Sequence, residues 1–490
     1  MMQEQTRYPK PQTLLMKFGG TSVGTRQAVE QVIGIVRDSR KDWQNVLVVT
    51  SALSGVTNLL LKSAAAAAAG DREPYHAAVE ELRQRHMELV RDLVADSLAA
   101  LAVTEEIHQL LAEFTALGEA ISVLGEATPR AMDTVAALGE RLSVRVLTSV
   151  LKSAGVPAEM VEATRLIYTD DHYQSAHPDF EITRQRCAET LGPILVRGQV
   201  PVITGFIAAT HDGSTVTLGR GGSDYSAAIL GACLPVDEVW IWTDVDGVMT
   251  ADPRLVEAAC TIPALTFKEV GELAYFGAKV LHPKSIRPVI EAGIGLAVRN
   301  TFNPAHPGTR ILPDPPRTEK PAETITPEGV IKAVTAISGL TLITLEGRGM
   351  LGVPGVAART FEAVAATGTS VPLISQASSE QSICFAVPKE TEPIILAALE
   401  QTFAAEIHKR DIDRIWASEE VVILTIVGAG MRHTPGVAGR IFTALGSQQV
   451  NVIAIAQGSS EVSISLVVDA RHARAGLVAL HELVQSCHKS

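Results

Sequence analysis

The stretch LISQASSEQSI at Leu373–Ile383 returns as AIAQGSSEVSI at Ala454–Ile464, with Gln376 and Gln457 in register 81 residues apart. The echo extends upstream without a gap. GVPGVAARTFEAV begins at Gly352 and HTPGVAGRIFTAL at His433, so Pro354/Pro435, Gly355/Gly436, Arg359/Arg440 and Phe361/Phe442 keep the same offset. A fixed offset of this length marks a duplicated supersecondary module that buries its apolar face only against a neighbour. Each copy reads strand, Pro-Gly turn, helix, strand, turn, strand. In the second copy Val437, Ile441, Phe442 and Leu445 fall at helical spacing, and Val462, Ile464, Leu466 and Val468 alternate as on a half-buried strand. The exposed strand edge of such a unit invites pairing, so two units are expected to pack together or to pair across chains.

A chain of 490 residues exceeds one core, and about three compact units are expected. Ahead of the repeats, ILPDPPRTEKPAETITPEG carries too little apolar surface to build a core and marks a boundary. The expected division is therefore 12–312, a linker at 313–329, a first module at 330–410 and a second at 411–490. The strand GVIKAVTAI is a candidate to pack with the second module instead, which would make the first an insertion. Net charge is −12 with no basic block, which excludes a general nucleic-acid binder but leaves room for local basic pockets. The five cysteines lack CxxC spacing and fit reduced thiols, with no metal ligand set among them. The N-terminus has neither a secretory apolar core nor a transit pattern, and no run of apolar residues is long enough for a membrane span. A cytoplasmic protein is expected.

The first 312 residues alternate strands and helices. TLLMKF, the turn GGTSVG and TRQAVEQVIGIVRDS read as strand, glycine turn and helix, and NVLVVTSALSGVTN follows as a strand running into a Ser/Gly/Thr loop. This is an α/β layer with a mainly parallel sheet. The signal from about Leu61 to Ala154 is helical, and Asp212-Gly213 between alternating runs marks a hairpin. Lys17 precedes Gly19 and Gly20, and Ser22 leads toward a helix, so free N–H groups and a helix dipole suit a phosphate there. TLGRGGSDYSAAIL repeats that logic with Arg220, Gly222 and Asp224, although Asp224 also fits a plain N-cap. In LGERLSVRVLTSVLKSAG, Leu138, Leu142, Val146 and Val150 form a stripe, and Glu140 lies off it near the first turn, where a surface glutamate would complement the dipole. Thr243, Asp244 and Arg254 follow a strand, where open α/β sheets place ligands, and FGAKVLHPK adds Lys279.

Together KFGGTSV, TLGRGGSDYSAA, WTDVDGVMTADPR and FGAKVLHP resemble the aspartate kinases of the amino-acid kinase fold, and the two repeats resemble their tandem βαββαβ-type ACT regulatory domains. The resemblance runs from about Leu14 to Leu483. It implies transfer of phosphate from ATP, with Mg2+, to L-aspartate, giving 4-phospho-L-aspartate on the route to lysine, threonine and methionine. It further implies Lys17 and Asp224 as catalytic residues. Ser51, Thr57, Glu140 and Arg220 would bind substrate. Gly19, Gly20, Ser22, Gly222, Thr243, Asp244, Met249, Arg254 and Lys279 would join Lys17 on the ATP side. Met249 stands where many relatives carry a tyrosine, so no ring-stacking or hydroxyl role carries over, although a thioether still covers an adenine face.

Met350, Gln376 and Gln457 are the candidate effector residues, in a homodimer or larger assembly joined through the ACT domains. Pro372 occupies the place where the resemblance implies an acidic residue in lysine-sensing relatives. A desolvated ammonium without a carboxylate partner is costly, whereas amide side chains suit a hydroxyl, so threonine is favoured over lysine. No GxGxxG follows the second repeat, which fits a monofunctional kinase. Glutamate or N-acetylglutamate as acceptor and a catalytically dead amino-acid sensor are the alternatives. Intact Lys17, Arg220 and Asp224 oppose the last, and Glu140 as partner for a free α-ammonium opposes the acetylated acceptor.

Overall fold

A computed structural model of the chain describes residues 12–275, 281, 283–314, 330–377, 379–431, 434–458 and 462–484. The chain forms two compact units. The first comprises Met1–Val248, Pro263–Phe267 and Val280–Pro313; the second comprises Met249–Ile262, Lys268–Lys279 and Asp314–Ser490. Two segments inside the expected 12–312 range thus fold with the C-terminal part.

In the first unit the chain runs β1 (Thr13–Phe18), α1 (Gly20–Val23), α2 (Arg26–Asp42), β2 (Asn45–Thr50) and then four helices, α3 (Val56–Ala68), α4 (Glu73–Leu93), α5 (Ser97–Leu124) and α6 (Pro129–Ser153). β3 (Ala158–Val161), β4 (Tyr168–Thr169), α7 (Phe180–Val196), β5 (Val200–Thr204), β6 (Ile207–Thr210), β7 (Thr215–Thr217), α8 (Gly222–Cys233) and β8 (Glu238–Thr243) follow. β9 (Ala264–Thr266), α9 (Phe267–Tyr275), α10 (Pro283–Glu291), β10 (Gly295–Asn300) and β11 (Thr309–Leu312) come last, with most of α9 in the second unit. Among the described residues the main sheet has the order β3-β5-β2-β1-β8-β10-β11-β9, parallel except between β10 and β11. β1 and β5 are buried throughout, which is why they read as mainly apolar runs rather than alternating ones, with Lys17 as the charged exception in β1. The Asp212-Gly213 turn joins β6 to β7 as expected, with Gly213 at φ 83°.

The helical stretch is punctuated by its own caps. Asp96 accepts from the N–H groups of Leu98 and Ala99 to start α5, and Gly125 at φ 70° ends it. Thr128 caps α6, with Pro129 in its first turn. The core of this layer encloses His86, fully buried, with Nδ1 on the carbonyl of Leu82 at 2.7 Å. Burial pushes its pKa down to about 4, so the folded protein holds it neutral. The folded value lies below the unfolded one, so this contribution is whole above about pH 6.5 and is lost as pH falls toward 4, a swing of ~3 kcal/mol. In urea titrations the parent should lose more stability between pH 7 and 4.5 than His86→Leu; parallel losses would remove His86 as the cause.

In the second unit β12 (Ala333–Glu346), α11 (Val356–Ala366), β13 (Leu373–Gln376), β14 (Ser382–Pro388), α12 (Glu392–Thr402) and α13 (Ala404–Lys409) lead into β15 (Arg414–Val427), α14 (Val437–Ser447), β16 (Val452–Gln457), β17 (Ser463–Asp469) and α15 (Ala473–His481). The strands form one antiparallel sheet, β13-β14-β12-β15-β17-β16. The two repeats therefore pair within one chain, through the long central strands β12 and β15. Each of those strands serves both modules. Ile343 and Leu345 of β12 join Ile415 of β15 in the first module's core, whereas Val330, Ile331 and Val334 join Leu424 and Ile426 in the second. The candidate placement of GVIKAVTAI is the one observed.

Two expectations from periodicity need correction. Phe442 is 38% exposed while Val437, Ile441 and Leu445 are buried, because four apolar positions on a short helix span more than its covered stripe. β17 is buried on both faces rather than one: Ile464, Leu466 and Val468 face the second module's core, and Val467 joins Leu373 and Ala454 on the other side. The inserted segments are pinned here as well. Glu269, fully buried, pairs with Lys332 at 2.8 Å and accepts from the N–H of Ala429 at 2.7 Å, and Thr250 shares a hydrogen bond with His481 at 2.8 Å. Cys187, Cys233 and Cys384 are free thiols, but Cys260 is disulfide-bonded, which corrects the reading of all five as reduced.

Candidate active site

The carboxyl ends of β1 and β2 open onto a cavity of about 410 Å3 in the first unit. Five chain segments line it, three of them with several residues each. β1 delivers Lys17 and the start of α1 Gly20, the loop after β2 and the first turn of α3 deliver Ser51–Gly55, Thr57 and Asn58, and the turn from Gly219 into α8 delivers Arg220, Gly222 and Asp224. Glu140 reaches it from the middle of α6. Of the expected residues, the cavity thus unites Lys17, Gly20, Ser51, Thr57, Glu140, Arg220, Gly222 and Asp224.

Lys17 is 8% exposed and its Nζ lies 2.6 Å from Oδ1 of Asp224. Asp224 is not the N-cap; Gly221, at φ 69°, holds that place, and Asp224 sits in the first turn of α8 facing Lys17. The ammonium is thereby held at the cavity wall by an opposite charge, while the exposed Arg220 stands at the rim. Glycines are needed where segments close on one another. A Cβ at Gly20 would stand 2.8 Å from the carbonyl oxygen of Ala52, and one at Gly222 would enter the ring of Phe206. Phe206 itself holds φ 66°, a strained conformation for an aromatic residue, with its N–H on the hydroxyl of Ser226 at 2.9 Å.

Glu140 departs most from its expected setting. It is neither near the first turn of its helix nor on the surface: α6 starts at Pro129, and Glu140 is 3% exposed. Oε1 accepts from the N–H of Ala52 at 3.1 Å, and Oε2 has no protein partner among the described residues. Burial pushes its pKa up to about 8, against the opposing pull of the Ala52 N–H and the Lys17 charge. A buried carboxyl group with one free oxygen at a cavity wall is built to receive a cation or a donor.

Other expected residues lie elsewhere. The N–H of Gly19 is taken by the carbonyl of Trp242 at 3.1 Å, so it does not cradle a phosphate. Ser22 is fully buried and shares a hydrogen bond with Thr301 at 2.7 Å, which makes it a pin between α1 and the segment after β10. The helix there is a single turn, and the long helix begins only at Arg26 under the Thr25 cap, so the expected dipole is weak. Thr243 and Asp244 end β8, outside the cavity, with their side chains 3.3 Å apart. Met249 and Arg254 belong to the second unit, where Met249 accepts from the hydroxyl of Thr261 and Arg254 pairs with Asp252 at 2.6 Å. Lys279 lies outside the described residues. Sequence reasoning missed Ser54, Asn58 and Phe206 as cavity residues. The first two stood within the Ser/Gly/Thr loop already marked, whereas nothing in TGFIAAT signals Phe206.

In the second unit a cavity of about 360 Å3 is lined by Met350, Pro354, Gly355, Gln376, Glu380 and Ile383, among others. Met350 and Gln376 meet there as expected; Gln457, exposed at the end of β16, does not line it. Glu380 was missed, and its Oε2 accepts from the N–H of Gly352 at 3.2 Å. Its carboxylate lies at the cavity wall, which corrects the premise that the module offers none there.

The chain thus carries a mainly parallel sheet with a lysine-aspartate pair beside a buried carboxyl group, and two copies of one module that share an antiparallel sheet. The model of the amino acid kinase family matches residues 12–300, and that of the ACT domain matches 343–403 and 424–483. An aspartokinase of Schizosaccharomyces pombe is 31% identical over 501 residues, covering 97% of this chain and 93% of that one. The chain belongs to the aspartokinase family. The structure of Escherichia coli aspartokinase III in complex with aspartate and ADP aligns with TM-score 0.77 at 29% identity, over 96% of this chain and all of that one. A bifunctional aspartokinase/homoserine dehydrogenase of Zea mays chloroplasts is 36% identical over 474 residues, which cover 95% of this chain but 50% of that one. The chain spans about half the length of such bifunctional relatives. Among the described residues no helix is long and apolar enough to cross a membrane.

Proposed function

We propose that the chain transfers the γ-phosphoryl group of ATP to the side-chain carboxylate of L-aspartate, forming 4-phospho-L-aspartate and ADP, on the route to lysine, threonine and methionine. The observation that carries this reading is the meeting of Lys17–Asp224, Arg220 and buried Glu140 in one cavity. A carboxylate with a reference pKa of ~3.9 is already ionised at neutral pH, so no general base is required. Its oxygen attacks the γ-phosphorus while the bond to the bridging oxygen of ADP breaks. The barrier is the approach of two anions, and positioning with charge neutralisation lowers it. Lys17 faces the transferring group, oriented by Asp224, while Gly20 and Gly222 let backbone approach the phosphates. Arg220 takes a substrate carboxylate, Glu140 takes the α-ammonium, and Ser51 and Thr57 line the aspartate side. Thr243 and Asp244 are assigned to the nucleotide side. Mg2+ would be held by nucleotide phosphates and Asp224, whose carboxylate oxygens suit a hard cation, and would neutralise phosphate charge.

We further assign the Met350–Gln376 cavity to an amino-acid effector, with threonine favoured. Glu380 offers one carboxylate to an α-ammonium. Lysine brings a second ammonium with no second carboxylate among the lining residues, whereas the hydroxyl of threonine needs only an amide such as Gln376. Exposed Ile374 on β13 and Ile453 and Ile455 on β16, the two sheet edges, support assembly of at least a dimer through these modules. ADP release by the purified chain with Mg-ATP should require L-aspartate, not L-glutamate or N-acetylglutamate, and should fall with threonine more than with lysine. Release without regard to aspartate would refute the kinase reading, and inhibition by lysine alone would refute the effector assignment.

A further inference from the structure

The sequence DDHYQSAH between β4 and α7 has no part in the chemistry above, yet it gathers three metal-ligating side chains on one short loop. Nδ1 of His172 lies 3.0 Å and Nδ1 of His177 3.2 Å from the same oxygen, Oδ2 of Asp170. The two rings stand edge to face, 5.8 Å between centroids. All three ligand atoms fall within 4.8 Å of one another, and among the described residues this is the one such group. A tetrahedral ion with bonds of ~2.0–2.2 Å separates its ligand atoms by roughly 3.3 Å, close to both measured distances.

We propose that Asp170, His172 and His177 form a binding site for a divalent transition-metal ion of the zinc, cobalt or nickel class. Two imidazole nitrogens with one carboxylate select borderline ions over Mg2+ or Ca2+, which prefer all-oxygen shells. Hydrogen bonds within the loop and to Asp133 fix its shape, which lowers the ordering cost of binding. Oδ1 of Asp170 accepts from the N–H groups of His177 at 2.9 Å and His172 at 3.3 Å, which orients the carboxylate and leaves Oδ2 for the ion. Midway, Gln174 turns through φ 69°, and its N–H is held at 2.8 Å by Oδ2 of Asp133. Asp133 is 1% exposed and also accepts from the N–H and hydroxyl of Thr217. The side chains of His172 and His177 are 72% and 60% exposed, so an ion has open access and water completes its shell. The loop also backs the catalytic turn: a Cβ at Gly219, the residue before Arg220, would stand 2.9 Å from the carbonyl oxygen of Gln174.

The test uses untagged full-length protein, stripped with EDTA and titrated with Co2+ in the presence of excess Mg2+. The parent should bind one equivalent with visible ligand-field bands that Zn2+ abolishes. His172→Ala/His177→Ala, which circular dichroism should find folded, should bind at least tenfold more weakly, and Zn2+ should raise Tm in the parent and not in this variant. No saturable Co2+ spectrum from the parent, or an unchanged affinity in the double variant, would overturn the assignment; the latter would point to thiols instead.

Discussion

Replacing Lys17 by alanine should lower the turnover of aspartate-dependent ADP release by about 10²–10³-fold, or ~3–4 kcal/mol of transition-state stabilisation, the scale of losing one preorganised charge at an anionic transition state. The side chain projects from the central strand of the sheet and touches Asp224, so two losses coincide: the cation facing the phosphoryl group, and the counter-charge of a carboxylate left at the cavity wall. Repulsion between Asp224 and incoming phosphate then adds to the barrier. Lys17→Arg keeps the charge but not its compact reach, and should recover only part of the rate. The fold should persist, because the strand is bonded on both sides by β2 and β8 through backbone groups that the substitution leaves in place. Near-normal turnover in a folded Lys17→Ala protein would disprove the role.

The second large effect belongs to Glu140. With its pKa pushed up to about 8, this group is protonated at neutral pH, and under the proposed assignment an arriving α-ammonium would pull it into the ionised form. Aspartate binding should then release up to one proton per site near pH 7. Calorimetric titrations in buffers of different ionisation enthalpy measure that release directly. The sign follows from the raised value: as pH drops below about 8 the proton competes better with the ammonium, so the aspartate KM should climb by up to tenfold per pH unit, with little change for ATP. Glu140→Gln keeps the shape and an acceptor for the Ala52 N–H but removes the titration. It should raise the aspartate KM by about 10²-fold, consistent with the ~2–3 kcal/mol of a buried charged hydrogen bond, and abolish the proton release. A variant with an ATP-specific defect, or a parent with no proton release, would reverse the assignment.

What the sequence made legible follows from where the information sits. Glycine turns beside Lys17 and Arg220, the Asp212-Gly213 hairpin and the duplicated module are local patterns, and each is found in place. Glu140 was legible by type but not by setting, because the helical stretch before it conceals where α6 begins, and only the packed layer reveals that the residue is buried. Gly19 and Ser22 look like phosphate ligands until their hydrogen bonds to Trp242 and Thr301 are seen, partners more than 200 residues away. Phe206 carries no motif and enters its cavity through the turn that brings it there, whereas Glu380 stood inside the repeated LISQASSEQSI phrase, where Gln376 drew the attention.

The long strands β12 and β15 have a consequence for what counts as a unit in this chain. The repeat written in the sequence is a contiguous block, but neither folded module is made from one block, since each takes half a strand from beyond its own copy. The piece that was copied and the piece that folds are different pieces. A fragment cut at the seam between the copies would carry the second module's helices and edge strands yet leave Leu424 and Ile426 without the strand that covers them. The doubled phrase of the sequence is thus one sheet in the fold, and neither half of it closes alone.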